Sequence, residues 1–168
     1  GQCPVGHYNF SAGLCADWNR LSRTFTAVGS QKFWYTAHME GGNARFDKIQ
    51  YLRDVSSGNP DKYYDFPYDC GSNSALCGLT GPFYGFASDK YGDVLFTDYG
   101  GGYLLIYNAT QNQMYRYSGF TNPAGVVVDG YTAYIAQNVL GGGVRSFNLK
   151  TATIIGTTPT DGSTPFGV

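Results

Sequence analysis

The sequence is poor in charge and poorer still in histidine. Charged residues make up 14% of its 168 positions, the formal net charge is −1, and only His7 and His38 carry imidazoles. No cluster of Lys or Arg forms a basic stripe, so neither a phosphate backbone nor an anionic membrane finds an electrostatic footprint, and nucleic acid is not an expected partner. No apolar run nears the roughly 20 residues of a membrane-spanning helix. The opening "GQCPVGHYNF" lacks a basic segment followed by an apolar one, so a signal peptide, if the protein had one, is expected to be gone already. Two histidines leave general acid–base chemistry few players, and no Ser or free Cys stands beside a paired His in a recognisable nucleophile motif. Helical periodicity is absent throughout.

What is present points to an ordered chain in an oxidising compartment. Hydrophobic residues reach 42% and aromatics 17%, with 15 Tyr, 11 Phe and 2 Trp, which argues for a packed core rather than disorder. The four cysteines fall into two pairs close in sequence, Cys3 with Cys15 and Cys70 with Cys77, each among Gly, Pro, Asn and Ser residues of loops. Loop closure favours those near neighbours over the other two connectivities, and neither pair has the C-x₂₋₄-C spacing of zinc ligands. Disulfides are therefore expected at both. The sequons "NFS" at Asn9 and "NAT" at Asn108 point the same way, so the expectation is a secreted, N-glycosylated protein.

Self-comparison exposes a repeat. From Pro82 the chain reads "PFYGFASDKYGDVLFTDYGGGYLLIYNATQNQMYRYSGF", and from Pro123 "PAGVVVDGYTAYIAQNVLGGGVRSFNLKTATIIGTTP". Pro82, Pro123 and Pro165 are separated by 41 and 42 positions, and each is followed within three residues by a glycine, Gly85, Gly125 or Gly167. Short β-branched or aromatic runs bounded by Asp/Gly turns read as a four-stranded antiparallel meander. The triple glycines 100–102 and 141–143 read as the turns between second and third strands.

The pattern Pro-x-Gly-hydrophobic-x-hydrophobic-Asp, followed by a strand ending near "TD", resembles the NHL-type β-propeller blade and is similar to gluconolactonase-like and strictosidine-synthase-like propellers. The resemblance covers Gly81 to Val168. Upstream, "RTFTAV", "FWYTA", "FDKIQYL" and "KYYDF" read as a divergent blade without the Pro-x-Gly opening, with Gly41 and Gly42 in its glycine turn. The expected organisation is an N-terminal disulfide loop segment over 1–22, a divergent first blade with a long Cys-containing loop over 23–80, a second blade over 81–121, a third over 122–162, and a strand for inter-chain pairing over 163–168. The fold class is all-β: about three four-stranded antiparallel blades plus a leftover C-terminal strand, completed by another chain. The gluconolactonase likeness implies acidic and amide groups converging on a central tunnel to hold a divalent cation. Asp98 and Asn138, with His38 and Glu40 in the first blade, are the candidates. Each also reads as a turn or strand-end residue, and that reading is preferred, so no metal, cofactor or catalytic residue is expected.

Closed propellers typically need four to eight blades of about 40 residues each. Three blades leave open edges and apolar faces that must be covered. "TPFGV", Thr164, Pro165, Phe166, Gly167 and Val168, repeats the strand opening of "NPAGV". The expected function is that of a structural or adhesive protein whose tail completes another copy by strand addition, closing a ring or propagating a filament. Its partners are copies of itself and attached glycans. The alternative is a six-bladed NHL or gluconolactonase-like propeller, a dimer or a fragment of a longer chain, that binds a ligand or hydrolyses a small substrate.

Overall fold

The structure is a computed structural model that describes residues 7–11, 14–17, 22–28, 31–52 and 62–168, with side chains placed for 33–50 and 65–168. The described chain is strand and turn, with one 3₁₀ turn at Ser74–Leu76. Three four-stranded sheets follow one another. The first holds β3 (Ser22–Val28), β4 (Gln31–Glu40), β5 (Asn43–Leu52) and β6 (Lys62–Tyr68); the second β7 (Phe86–Ser88), β8 (Asp93–Asp98), β9 (Tyr103–Asn108) and β10 (Gln113–Tyr117); the third β11 (Pro123–Asp129), β12 (Thr132–Gln137), β13 (Val144–Asn148) and β14 (Thr153–Thr158). Each is an antiparallel meander in chain order. A two-stranded ribbon, β1 (His7–Ser11) with β2 (Leu14–Asp17), lies beside β6.

Neighbouring sheets meet through their first strands, β3 against β7 and β7 against β11. The middle sheet is buried on both faces. Because successive side chains point to opposite faces, Val94, Phe96, Leu105 and Tyr107 pack on the first sheet with Tyr35 and Phe46. Leu95, Leu104 and Ile106 pack on the third with Ala133, Ile135 and Phe147. That explains why β8 and β9 read as continuous apolar runs and not as an alternation. The rings of Phe46 and Phe96 stack at 5.5 Å across the first seam. Residues 69–81 close the same core from one side: Leu76 and Leu79 are buried in it, Cys70 and Cys77 are disulfide-bonded, and Arg116 donates to the Cys77 carbonyl at 2.6 Å.

Candidate functional site: an open blade face and the segment seated on it

The seam between the second and third sheets rests on a missing side chain. A Cβ at Gly85 would fall onto the Ala124 carbonyl and lie 3.0 Å from the Val126 nitrogen, so only glycine lets β11 come this close. The buried hydroxyl of Thr97 ties the seam, accepting from the Gly85 N–H at 3.1 Å and donating to the Ala124 carbonyl at 2.7 Å.

One repeat further on, the same contact recurs with different residues. Gly125 donates its N–H to the Phe166 carbonyl at 2.7 Å. A Cβ there would meet the Phe166 oxygen at 2.7 Å, Gly167 Cα at 3.0 Å and Val168 N at 3.1 Å. Phe166 and Val168 stand 42 positions after Ala124 and Val126. The closing segment therefore sits on the third sheet where the opening of β11 sits on the second. Asn138 donates to the Pro165 carbonyl at 3.2 Å, Gly141 to the Ser163 carbonyl at 2.7 Å, and Phe166 meets Tyr84 edge to face at 5.0 Å. These bonds hold one side of residues 164–168 on their own chain, although the segment forms no strand there. The other side is open, with Phe166 48% and Val168 50% exposed.

The face around this segment is the unpartnered side of the third sheet. Register places Val127, Tyr134 and Ser146 in one row and Ala136 beside Val144. Tyr134, Val144 and Ser146 stand where Leu95, Leu104 and Ile106 stand in the second sheet, but those three are buried while these are half-buried. Ile155, at the bulge in β14, is 59% exposed. The fold is that of β-propeller blades. No protein-family model and no curated protein matches the chain. Among solved structures it is similar to a chain in a crystal structure of a nidogen/laminin complex, with a TM-score of 0.53 and 13% identity, over 80% of this chain and 46% of that one. The chain thus spans about half the length of the one it matches. The likeness supports a β-propeller-like fold and not the NHL subtype in particular.

The metal candidates are not brought together, and among the described residues no group of three His, Cys, Asp or Glu is placed to hold a metal. Asp98 is fully buried and accepts from the Gly81 and Thr80 N–H groups at 2.7 and 3.4 Å. Its equivalent at the end of β12 is Gln137, not Asn138; Gln137 likewise accepts from the Thr121 N–H at 2.9 Å. Both fasten the entry to their own sheet. Asn138 bridges the Tyr99 hydroxyl, at 3.3 Å, and the closing segment. His38 and Glu40 lie on β4, on the face away from the second sheet, with Arg45 and the buried Asp47 of β5. There burial pushes the Asp65 carboxyl up to about 8, helped by the neighbouring Asp47, whose own carboxyl burial also raises.

Asn108 ends β9 at a turn, where its carboxamide oxygen accepts from the Gln111 N–H at 3.0 Å; that bond does not use the nitrogen to which an N-glycan is joined. The side chains of Asn9 and Cys15, which face each other in the β1–β2 register, and the whole of Cys3 lie outside the described residues. The roles of Thr97 and of the Gly85 and Gly125 contacts escape sequence reasoning; a lone Thr within the apolar "DVLFTD" was the available signal.

Proposed function

We propose that this is a secreted structural protein that self-assembles through the open face of its third blade. The closing segment lies where the first strand of a further blade would lie, and a second copy packs one of its own blades against that face. The observation that carries the reading is the recurrence of the Gly85 seam at Gly125, with residues 166–168 in the place of residues 124–126. The occupant proposed is a second copy, which carries blades of the same kind and can meet this face head to tail. Covering the exposed halves of Phe166 and Val168 contributes roughly 1 kcal/mol each toward association. A disulfide at Cys70–Cys77 suits an oxidising compartment, and N-glycans at Asn9 and Asn108 belong to the same proposal.

Electron microscopy of the purified full chain tests the reading. A six-bladed ring or a head-to-tail filament is expected for the intact chain, with neither after deletion of 163–168. Particles of a single three-bladed chain, or assemblies that survive the deletion unchanged, overturn it.

A further inference from the structure

Two tyrosines outside the assembly face are arranged for a reaction. Tyr91 lies in the turn from β7 to β8, and Tyr131 occupies the corresponding turn from β11 to β12, 40 positions later. The backbone of each is held: Asp89 of the same turn accepts from the Tyr91 N–H at 2.9 Å, and the Tyr131 carbonyl accepts from the N–H of Leu149, just after β13, at 2.7 Å. The rings stack across the blade boundary at 4.9 Å with an interplanar angle of 12°. Both are open to solvent, 42% and 46% exposed. The stacking brings the two phenol rings face to face, and interaction with the Tyr91 side chain raises the pKa of the Tyr131 phenol. Lys90 and Lys150 carry their ammonium groups 5.3 and 5.5 Å from the two ring centres and brace the pair.

Other close tyrosine pairs lack this combination. Tyr84 and Tyr99 meet edge to face at 82°, and the pairs of Tyr107 with Tyr35 and with Tyr68 are tilted, with Tyr35 and Tyr107 fully buried. Among the described residues, Tyr91 and Tyr131 unite stacking with exposure.

We propose that Tyr91 and Tyr131 are an oxidative cross-linking site, where a peroxide-consuming one-electron oxidant of the haem-peroxidase class joins the two phenols into dityrosine and staples the second blade to the third. Each phenol gives up one electron and its hydroxyl proton to become a phenoxyl radical. The radicals couple through carbons ortho to the oxygens, forming one C–C bond. The hydrogen on each coupled carbon then leaves as a proton, each oxygen regains one, and both rings recover aromaticity. Overall two hydrogens are lost, and their two electrons and two protons reduce one hydrogen peroxide to two waters. The bond lies within one chain and is independent of assembly through the third-blade face.

The test treats the dilute full chain with hydrogen peroxide and a haem peroxidase, then reads dityrosine fluorescence and maps cross-linked peptides by mass. One peptide pair joining Tyr91 to Tyr131, two hydrogens lighter than the sum of its parts, is expected, with no covalent dimer. Fluorescence should be lost in Tyr91→Phe and in Tyr131→Phe, which keep the rings and hence the packing, and retained in Tyr84→Phe. Unchanged fluorescence in both first variants, cross-links confined to other tyrosines, or no dityrosine in the parent chain overturns the proposal.

Discussion

At Gly85 and Gly125 an absent methyl group sets how closely one blade's first strand approaches the next, and the two positions separate stability from assembly. Gly85→Ala drives a Cβ onto the Ala124 carbonyl and against Val126 within the seam. Overpacking of this kind costs about 1–3 kcal/mol, so a lowered midpoint of denaturant unfolding is expected. Gly125→Ala meets only the closing segment, 2.7 Å from the Phe166 oxygen. It should leave that midpoint nearly unchanged while speeding amide exchange over 163–168; equal destabilisation by both substitutions would contradict the distinction. Thr97→Val keeps the shape and removes the hydroxyl shared by Gly85 and Ala124. Two buried backbone groups then go unpaired at roughly 1–3 kcal/mol each, a loss that chemical denaturation reads directly. The sequence shows both glycines at the repeat period but not why they are there; that they mark close approach between blades follows only from the sheets' arrangement. Asp98 illustrates the same limit, since a carboxylate at a strand end reads alike whether it binds a cation or caps a loop.

The strands themselves were legible because their signals are local. "RTFTAV", "FWYTA", "FDKIQYL" and "KYYDF" fall on β3 to β6 even without the Pro-x-Gly opening, since alternation and the Gly41–Gly42 turn suffice to specify a meander. Which face of each strand meets a neighbour is not local, and the polar face of the first sheet went unread for that reason. Asp47 stands on β5 and Asp65 on β6; burial raises both carboxyls, and Asp47 raises that of Asp65 further. The sign follows directly: a carboxyl whose folded pKa is raised favours the fold while protonated, and that favour is lost as pH rises from about 4 through about 8. Stability should therefore fall between roughly pH 5 and pH 8. Asp65→Asn should flatten the fall, as thermal melts at the two pH values would show; an unchanged slope would remove Asp65 as its source. The loop of residues 69–81 behaves as a separate element clamped by Cys70–Cys77. Replacing both cysteines by Ser should cost about 2–3 kcal/mol, with exchange rising first around Leu76 and Leu79.

On the scale of the whole molecule, the repeat period told the number of blades, and their arc leaves one sheet face unpartnered. Leu95, Leu104 and Ile106 are covered by a following blade, whereas Tyr134, Val144 and Ser146 at the same positions are not. The sequence carried the closing segment's kinship with β11 but not its seat, because a contact at Gly125 depends on where the third sheet lies. On this reading the face and the segment upon it receive a second copy. Sedimentation equilibrium on the full chain and on the chain lacking 163–168 decides the matter. A mass of two or more chains is expected for the first and of one chain for the second, with the sheet signal in circular dichroism intact in both; one chain for the first, or the same multiple for both, would rule it out.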